Sequence, residues 1–156
     1  MPRRHPTHII CGFILLALPA VACPAEPSPP QFAHGSAVLA NGYRIEVEIA
    51  YTETQREYGL MHRTTLNKNQ GMLFIYPETT RQGVWMKNTL LALDVLFLSE
   101  QGLVTETLEN LEPCRKDPCP IYVSETKARY MLEVPAGFAA YQNIESGQEL
   151  ILDYRH

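Results

Sequence analysis

The apolar residues of this chain come in short runs that are separated by glycine, proline, asparagine or serine. This spacing is typical of short β-strands joined by turns, and it leaves little room for long amphipathic helices. With 156 residues, the chain is long enough for one hydrophobic core. The pattern therefore predicts an α+β fold that is mostly β, with a compact barrel-like or sandwich-like antiparallel or mixed sheet and one or two short helices.

The clearest strand signal is a hairpin whose turn is Asn41-Gly42. Asn-Gly favours a two-residue hairpin turn, and the alternation of apolar and charged residues from Tyr43 to Ile49 predicts a strand with one buried face. The other predicted strands are Ser36–Ala40, Gly71–Tyr76, Gly83–Lys87, Val95–Leu98, Leu103–Glu106, Tyr130–Val134 and Leu150–Leu152.

Two short helices are predicted. Thr52 followed three residues later by Gln55 forms a capping box, which predicts a helix through Tyr58 that ends at Gly59. A second helix is predicted over residues 138–143, before the turn at Ser146-Gly147.

The N-terminal segment has the features of a cleaved secretory signal. Arg3 and Arg4 precede an apolar run from Ile9 to Leu18, and small residues that a signal peptidase accepts end at Ala22. The run is shorter than the roughly 20 apolar residues that a transmembrane helix needs. We therefore expect residues 1–22 to be a signal peptide, which predicts an exported protein of the periplasm or cell envelope.

Cleavage after Ala22 would make Cys23 the first mature residue, a position that resembles a bacterial lipoprotein processing site. Lipidation of Cys23 and soluble periplasmic export are therefore both open, and a membrane partner is expected only through such lipidation. Residues 23–35 contain four prolines and little to bury, which predicts an extended tether. The single folded domain is expected over residues 36–156.

Cys114 and Cys119 enclose a short loop flanked by Pro113 and Pro120. In an exported protein this arrangement predicts a disulfide. A bridge over so short a loop should stabilise the fold by about 2 kcal/mol and brace it locally. The spacing is not the two-residue spacing of redox-active pairs, and a zinc site would need further ligands.

Asp94 interrupts an otherwise apolar stretch and is the most unusual residue of the chain. A buried carboxylate without a partner would cost several kcal/mol, so Asp94 either bends to the surface or meets a cation and hydrogen bonds. Lys87 and Arg63 are the candidate cations.

If residues 84–88 form a strand, Trp85 and Lys87 share one face. One interpretation is a pocket wall, in which Arg63, Trp85, Lys87, Asn88 and Asp94 bind a small polar or anionic ligand. The alternative is structural: Trp85 packs, Lys87 extends along the surface, and Asp94 ties a turn through backbone N–H groups.

Other chemistries have weaker support. Met61, Met72 and Met86 are soft ligands suited to Cu(I), but scattered methionines in apolar strands are typical of core residues. His62 is the one histidine placed for acid–base work, and the motifs of common hydrolases, zinc proteases and nucleotide-binding proteins are absent from the sequence. No metal and no cofactor is predicted, and catalytic residues are not assigned.

The charge balance argues against a nucleic-acid partner. The chain carries a formal net charge of −4, and loss of Arg3 and Arg4 with the leader would make it more negative. An acidic surface repels phosphates.

Several motifs together resemble the domain-of-unknown-function 192 family over about residues 37–152. They are Gly59-Leu60-Met61-His62-Arg63, Gly71-Met72-Leu73-Phe74, Trp85-Met86-Lys87-Asn88-Thr89, Leu93-Asp94, Cys114 to Pro120 and Leu132-Glu133-Val134 through Gly137. The resemblance implies a small β-rich α+β protein, often exported in bacteria, without an established activity. It also implies that the polar residues Arg63, Lys87, Asn88 and Asp94 belong to the family pattern, while Ala92 stands where the family commonly has proline.

Three functions follow as hypotheses. The first is an exported binding module with the ligand over Trp85. The second is an enzyme that uses Asp94 or Glu133 as general acid or base near Lys87, with a pKa shifted by burial. The third is a structural or accessory envelope protein without a small-molecule site. Protein partners are not predicted.

Overall fold

A computed structural model describes residues 28–155 of the chain. It contains seven strands and two short helices. In chain order they are β1 (Ala33–Leu39), β2 (Arg44–Ala50), α1 (Glu53–Tyr58), β3 (Gln70–Trp85), β4 (Leu93–Leu98), β5 (Val104–Leu111), β6 (Ile121–Pro135), α2 (Phe138–Gln142) and β7 (Leu150–Tyr154).

All seven strands form one sheet in the order β5-β4-β6-β3-β2-β1-β7. The pair β2–β3 is parallel, with α1 in its connection, and the other neighbouring pairs are antiparallel. The predicted β-rich α+β fold is confirmed, and so is the hairpin, in which Val38 pairs with Arg44 across the turn.

The sheet curls into a half-barrel. Its two outer strands meet at one end, where Leu103 and Glu149 form an isolated bridge. The backbone N–H of Leu150 donates to the carbonyl oxygen of Gly102, at 2.9 Å. These contacts cover part of the exposed edges, which would otherwise be free to pair with other chains.

Apolar side chains pack on both faces of the sheet, because alternate residues of a strand point in opposite directions. One core contains Leu96, Leu98 and Val134 and is closed by Phe138 of α2. The other contains Val95 and Met131 with residues that follow α1. Along β4 and the end of β6 that pairs with it, even-numbered residues such as Leu96 and Val134 therefore enter the first core. Odd-numbered residues such as Val95 and Met131 enter the second.

Both helix predictions are confirmed. The Thr52 hydroxyl accepts a hydrogen bond from the Gln55 N–H, and the Gln55 side chain accepts one from the Thr52 N–H, which completes the capping box. Gly59 ends α1 with a positive φ of 49°. The second helix spans Phe138–Gln142.

Several strands are longer than the sequence pattern indicates, and the difference is largest for β3 and β6. The two strands predicted at residues 71–76 and 83–87 are one bent strand, β3, and the strand predicted at 130–134 is the end of β6. Their pairing shifts register between Ile75 and Thr80, and such a bulge accommodates Pro77 within the strand. The turn-forming residues between Tyr76 and Gly83 therefore mark a bend within β3, although the sequence pattern predicts that the strand ends there.

β1 begins at Ala33, inside the segment predicted as a tether, because Ala33 already pairs with Ile49 of β2. The predicted signal peptide at residues 1–22 and the lipidation site Cys23 lie outside the described residues. Neither α1 nor α2 is long and apolar enough to cross a membrane, and the described part of the chain has no other helix.

Candidate functional site

A small inner pocket lies between the end of α1 and strands β3 and β6, with a volume of about 50 Å³. Side chains of Leu60, Phe74 and Met131 form apolar walls, and Glu133 is its most buried ionisable group. A volume of this size holds a few waters or one small polar group, not a whole drug-sized molecule.

Glu133 is 5 % exposed and lines this pocket. Within residues 28–155, no hydrogen bond and no cation reaches its carboxyl group. Burial alone raises its pKa to about 8, because the apolar walls disfavour the charged form. Glu133 is therefore an acid that can gain or lose a proton near neutral pH.

Tyr76 lies beside Glu133 in the same pocket. Burial, and then the negative charge of Glu133, raise the pKa of its phenol, while the nearby guanidinium of Arg56 lowers it. The net shift is upward, so the Tyr76 hydroxyl stays protonated. Its proton points to the Met131 sulfur, at 3.9 Å.

A wider outer groove of about 360 Å³ adjoins the inner pocket. The two cavities share Arg56, Glu57, Tyr76 and Trp85 among their lining residues. Trp85 is 39 % exposed, and Ile121, its partner across the β3–β6 pair, is also exposed in the groove. A flat ligand can therefore lie on Trp85 while a small substituent reaches the inner pocket.

The predicted alternation at the end of β3 is observed. Val84 and Met86 are buried in the core, whereas Trp85 and Lys87 face the pocket. The Lys87 ammonium nitrogen lies 5.7 Å from the centre of the Trp85 ring, which is cation–π distance. Of the five residues predicted to bind a ligand, the structure brings these two together.

Asp94 is fully buried on the opposite face of the sheet from Glu133. It pairs with Val134 of the first core, whereas Glu133 pairs with Val95 of the second. One carboxylate oxygen of Asp94 accepts from the Asn110 N–H and the other from the Ala139 N–H, both at 2.8 Å.

The expected cation beside Asp94 is therefore replaced by two backbone donors. Lys87 lies over Trp85, and Arg63 forms an ion pair with Glu48. Because Ala139 lies in the first turn of α2, the carboxylate also satisfies a free helix N–H and ties α2 to β4 and β5. This arrangement matches the structural alternative considered for Asp94.

Arg63 and Asn88 lie away from the inner pocket. Arg63 lines a separate cavity with Glu48 on the other side of Leu60. Asn88 is exposed and has a positive φ of 54°, and its carbonyl oxygen accepts a hydrogen bond from the His62 N–H at 2.9 Å. A left-handed conformation favours asparagine, which gives Asn88 a role in shaping this turn.

The disulfide prediction is confirmed, since Cys114 and Cys119 are bonded. The Cys114 N–H donates to the carbonyl oxygen of Met86, at 3.1 Å. Met86 directly precedes Lys87, so the bridged loop holds the backbone next to the pocket rim.

The methionines behave mainly as core residues: Met72 and Met86 are almost fully buried. Met61 is partly exposed at the pocket. No three histidine, cysteine, aspartate or glutamate side chains gather at metal-binding distance anywhere in the part of the chain that the structure describes.

The sequence indicates Glu133 as a candidate general acid or base but does not place it among the predicted ligand-binding residues. The available signal was the same as for Asp94, a single acid inside an apolar strand, Leu132-Glu133-Val134. The sequence could not distinguish the two acids, because the two donors that satisfy Asp94 come from distant parts of the chain.

Comparison with known proteins identifies relatives for this fold. The model of the DUF192 family, described as Uncharacterized ACR, matches residues 37–152. A UPF0127 protein of Thermococcus sibiricus is 36% identical over 106 residues, which are 67% of this chain and 64% of that protein. A UPF0127 protein of Pyrococcus abyssi is 32% identical over 110 residues, 67% of this chain and 84% of that protein.

Two crystal structures share the architecture. A protein from Sinorhizobium meliloti, provisionally described as a transcription regulator, superposes with a TM-score of 0.73 at 32% identity and covers 80% of this chain and 98% of its own. A protein of unknown function from Novosphingobium aromaticivorans gives a TM-score of 0.68 at 27% identity. The match covers 85% of this chain and 94% of that protein.

Proposed function

Because this chain belongs to the DUF192 family, for which no activity is established, we propose from its pocket geometry that it is a binding module for a small polar ligand. The ligand lies on Trp85 in the outer groove and extends a polar group into the inner pocket. The observation that carries this proposal is Glu133, a buried acid without a hydrogen-bond partner in residues 28–155 that faces a cavity.

The rim of the pocket is suited to a ligand that has both a flat ring and an anionic group. Trp85 offers an exposed aromatic face, and Lys87 offers a positive charge next to it, where an anionic substituent can bind. Arg63, Asn88 and Asp94 act in this proposal by holding the surrounding backbone, since their polar atoms are directed to other parts of the chain.

Trp85 is the only tryptophan of the chain, so its emission reports on the site directly. We expect a member of a panel of sugars, sugar acids and amino acids to shift this emission and to raise the melting temperature. Lys87→Met should weaken that binding by about tenfold if the ligand has an anionic group at the rim. The exposed Lys127, outside both cavities, gives the matched control Lys127→Met, which should bind normally.

A panel in which no compound changes either signal would contradict the proposal and favour a structural or accessory envelope protein. A compound that stabilises the protein without affecting Trp85 emission would place binding elsewhere.

A second candidate function is enzymatic, and the burial of Glu133 beside an open groove favours it. An acid with a pKa near 8 is suited to general acid–base work at neutral pH. Asp94 is the weaker choice for this role, because both of its oxygens are committed to backbone donors. Under this hypothesis Glu133→Gln keeps ligand binding but abolishes turnover.

Export remains part of the proposal. The disulfide between Cys114 and Cys119 is compatible with an oxidising compartment such as the periplasm. Mass spectrometry of the mature N-terminus tests it: a diacylglyceryl Cys23 indicates a lipoprotein, an unmodified start at or near Cys23 indicates soluble export, and a retained Met1 rules out cleavage.

We do not extend the proposal to nucleic acid, although one structural relative carries a description as a transcription regulator. This chain has a net charge of −4, and α1 and α2 have six and five residues. An acidic surface without a long recognition helix among the described residues is a poor match for DNA.

A further inference from the structure

The charged state of Glu133 requires a hydrogen-bond donor, and no group among residues 28–155 donates to its carboxyl group. The Tyr76 hydroxyl donates to the Met131 sulfur. The Arg56 guanidinium lies over the Tyr76 ring, at 5.5 Å from its centre, and donates to the carbonyl oxygen of Ile75 at 3.1 Å. With Arg56 and Lys87 held over aromatic rings, the partner open to the carboxylate in this arrangement is solvent or a ligand.

We infer that the ligand enters the inner pocket with a protonated amine, which forms an ion pair with Glu133. This inference rests on the binding function proposed above and names the chemical group that the pocket selects. An ammonium group supplies three donors and a compensating charge, whereas a hydroxyl group supplies one donor and no charge. A ligand carboxylate would bring a second acid beside Glu133, and like charges in an apolar pocket repel.

The surroundings of the pocket suit a cation. Phe74 and Tyr76 give aromatic walls, and Met131 gives a polarisable sulfur. Acids exceed bases among the residues that line the pocket and groove. The acids are Glu53, Glu57 and Glu133, and the bases are Arg56 and Lys87.

Five titratable groups face Glu133 across this pocket: Arg56, Glu57 and Tyr58 from α1, Tyr76 from β3, and Lys87 at the rim. Arg56 and Lys87 oppose an incoming cation, but each is held over an aromatic ring. Because the free protein holds Glu133 protonated below about pH 8, pairing with an ammonium releases one proton. Amine affinity should then rise at least roughly tenfold from pH 6 to pH 8, a range in which an aliphatic amine stays protonated.

Three probes of similar shape test the inference: 2-phenylethylamine, 2-phenylethanol and 3-phenylpropionate. Each has a ring for Trp85 and a two-carbon arm for the inner pocket, and they differ in the terminal group. Titrations followed by Trp85 emission and by the carboxyl ¹³C resonance of Glu133 should show the amine binding at least tenfold more tightly than the alcohol at pH 8. Glu133→Gln should remove this preference, and Glu145→Gln, which neutralises an exposed acid away from both cavities, should retain it.

Equal binding of amine and alcohol, a preference that persists in Glu133→Gln, or tighter binding of the carboxylate would overturn the inference. So would failure of the amine to bind at all. Each of these outcomes is separable from failure of the proposed function, since a sugar or another neutral compound that still shifts Trp85 emission leaves a binding module with a different preference.

Discussion

Two acidic residues are buried in the part of the chain that the structure describes, and their surroundings give them different roles. Both oxygens of Asp94 accept hydrogen bonds from backbone N–H groups, so its polar atoms are satisfied without a basic side chain. Glu133 has no donor among the described residues and faces a cavity. A carboxylate that ties three elements together serves the fold, whereas an acid left without a partner is available to a ligand.

This difference predicts that two isosteric substitutions, Asp94→Asn and Glu133→Gln, change the free energy of unfolding differently. Asp94→Asn replaces one acceptor oxygen by an NH₂ group that faces a backbone N–H, so the free energy of unfolding should fall by about 2 to 3 kcal/mol. Glu133→Gln removes only an acid that burial already disfavours, and at pH 7 it should not destabilise the protein. Urea unfolding of both variants measures this contrast, and equal losses would contradict it.

The elements around the pocket are held in place by the loop that follows β5. The Cys114–Cys119 bridge closes a short loop, and the hydrogen bond from Cys114 to Met86 connects it to the end of β3. The carbonyl oxygen of Met86 also accepts from Thr89, which lines the inner pocket. The bridge therefore braces the turn that carries Lys87, while Cys114 also packs against the second core.

Replacing both cysteines tests this local role. The Cys114→Ser, Cys119→Ser variant should lose about 2 kcal/mol of stability, as expected for a short cross-linked loop, and should keep its fold. We expect amide exchange to increase at residues 86–89 and to stay unchanged in β1 and β2. Uniformly increased exchange throughout the sheet would show that the bridge supports the whole domain instead.

For the whole molecule, the burial of Glu133 makes stability depend on pH. The pKa of this acid is about 8 in the folded protein and near 4.5 when exposed, so the folded state binds more protons between these values. The contribution of Glu133 to the free energy of unfolding is therefore most favourable below pH 4.5. It declines as the pH rises toward 8 and is constant above pH 8. The full change amounts to about 5 kcal/mol.

Comparison with Glu133→Gln isolates this contribution from those of the other acids. The stability of the variant relative to the natural protein should increase steadily between pH 5 and pH 8, because only the natural protein has the Glu133 carboxyl group to ionise. Denaturant titrations at unit intervals of pH measure the difference. Parallel stability curves for the two proteins would mean that Glu133 titrates normally in the fold.

Local patterns in the sequence were sufficient for much of the architecture. Alternation predicted the hairpin of β1 and β2, Thr52 and Gln55 predicted the start of α1, and the cysteine spacing predicted the disulfide, because each depends on residues a few positions apart. The sequence alone also indicated the family and the shared face of Trp85 and Lys87. It could not show that β3 is one bent strand, since Pro77 within a bulge has the same local signature as Pro77 in a turn.

Only the tertiary structure decided which buried acid is free. The donors to Asp94 lie 16 and 45 residues away along the chain, and the fold brings both to the same face of the sheet. Glu133 lies on the other face, where the residues after α1 and the β3–β6 pair enclose a pocket in which no described group donates to its carboxyl. A single acid within an apolar strand looks the same at both positions, because sequence neighbours determine that a carboxylate is buried, whereas distant backbone groups determine whether it has a partner.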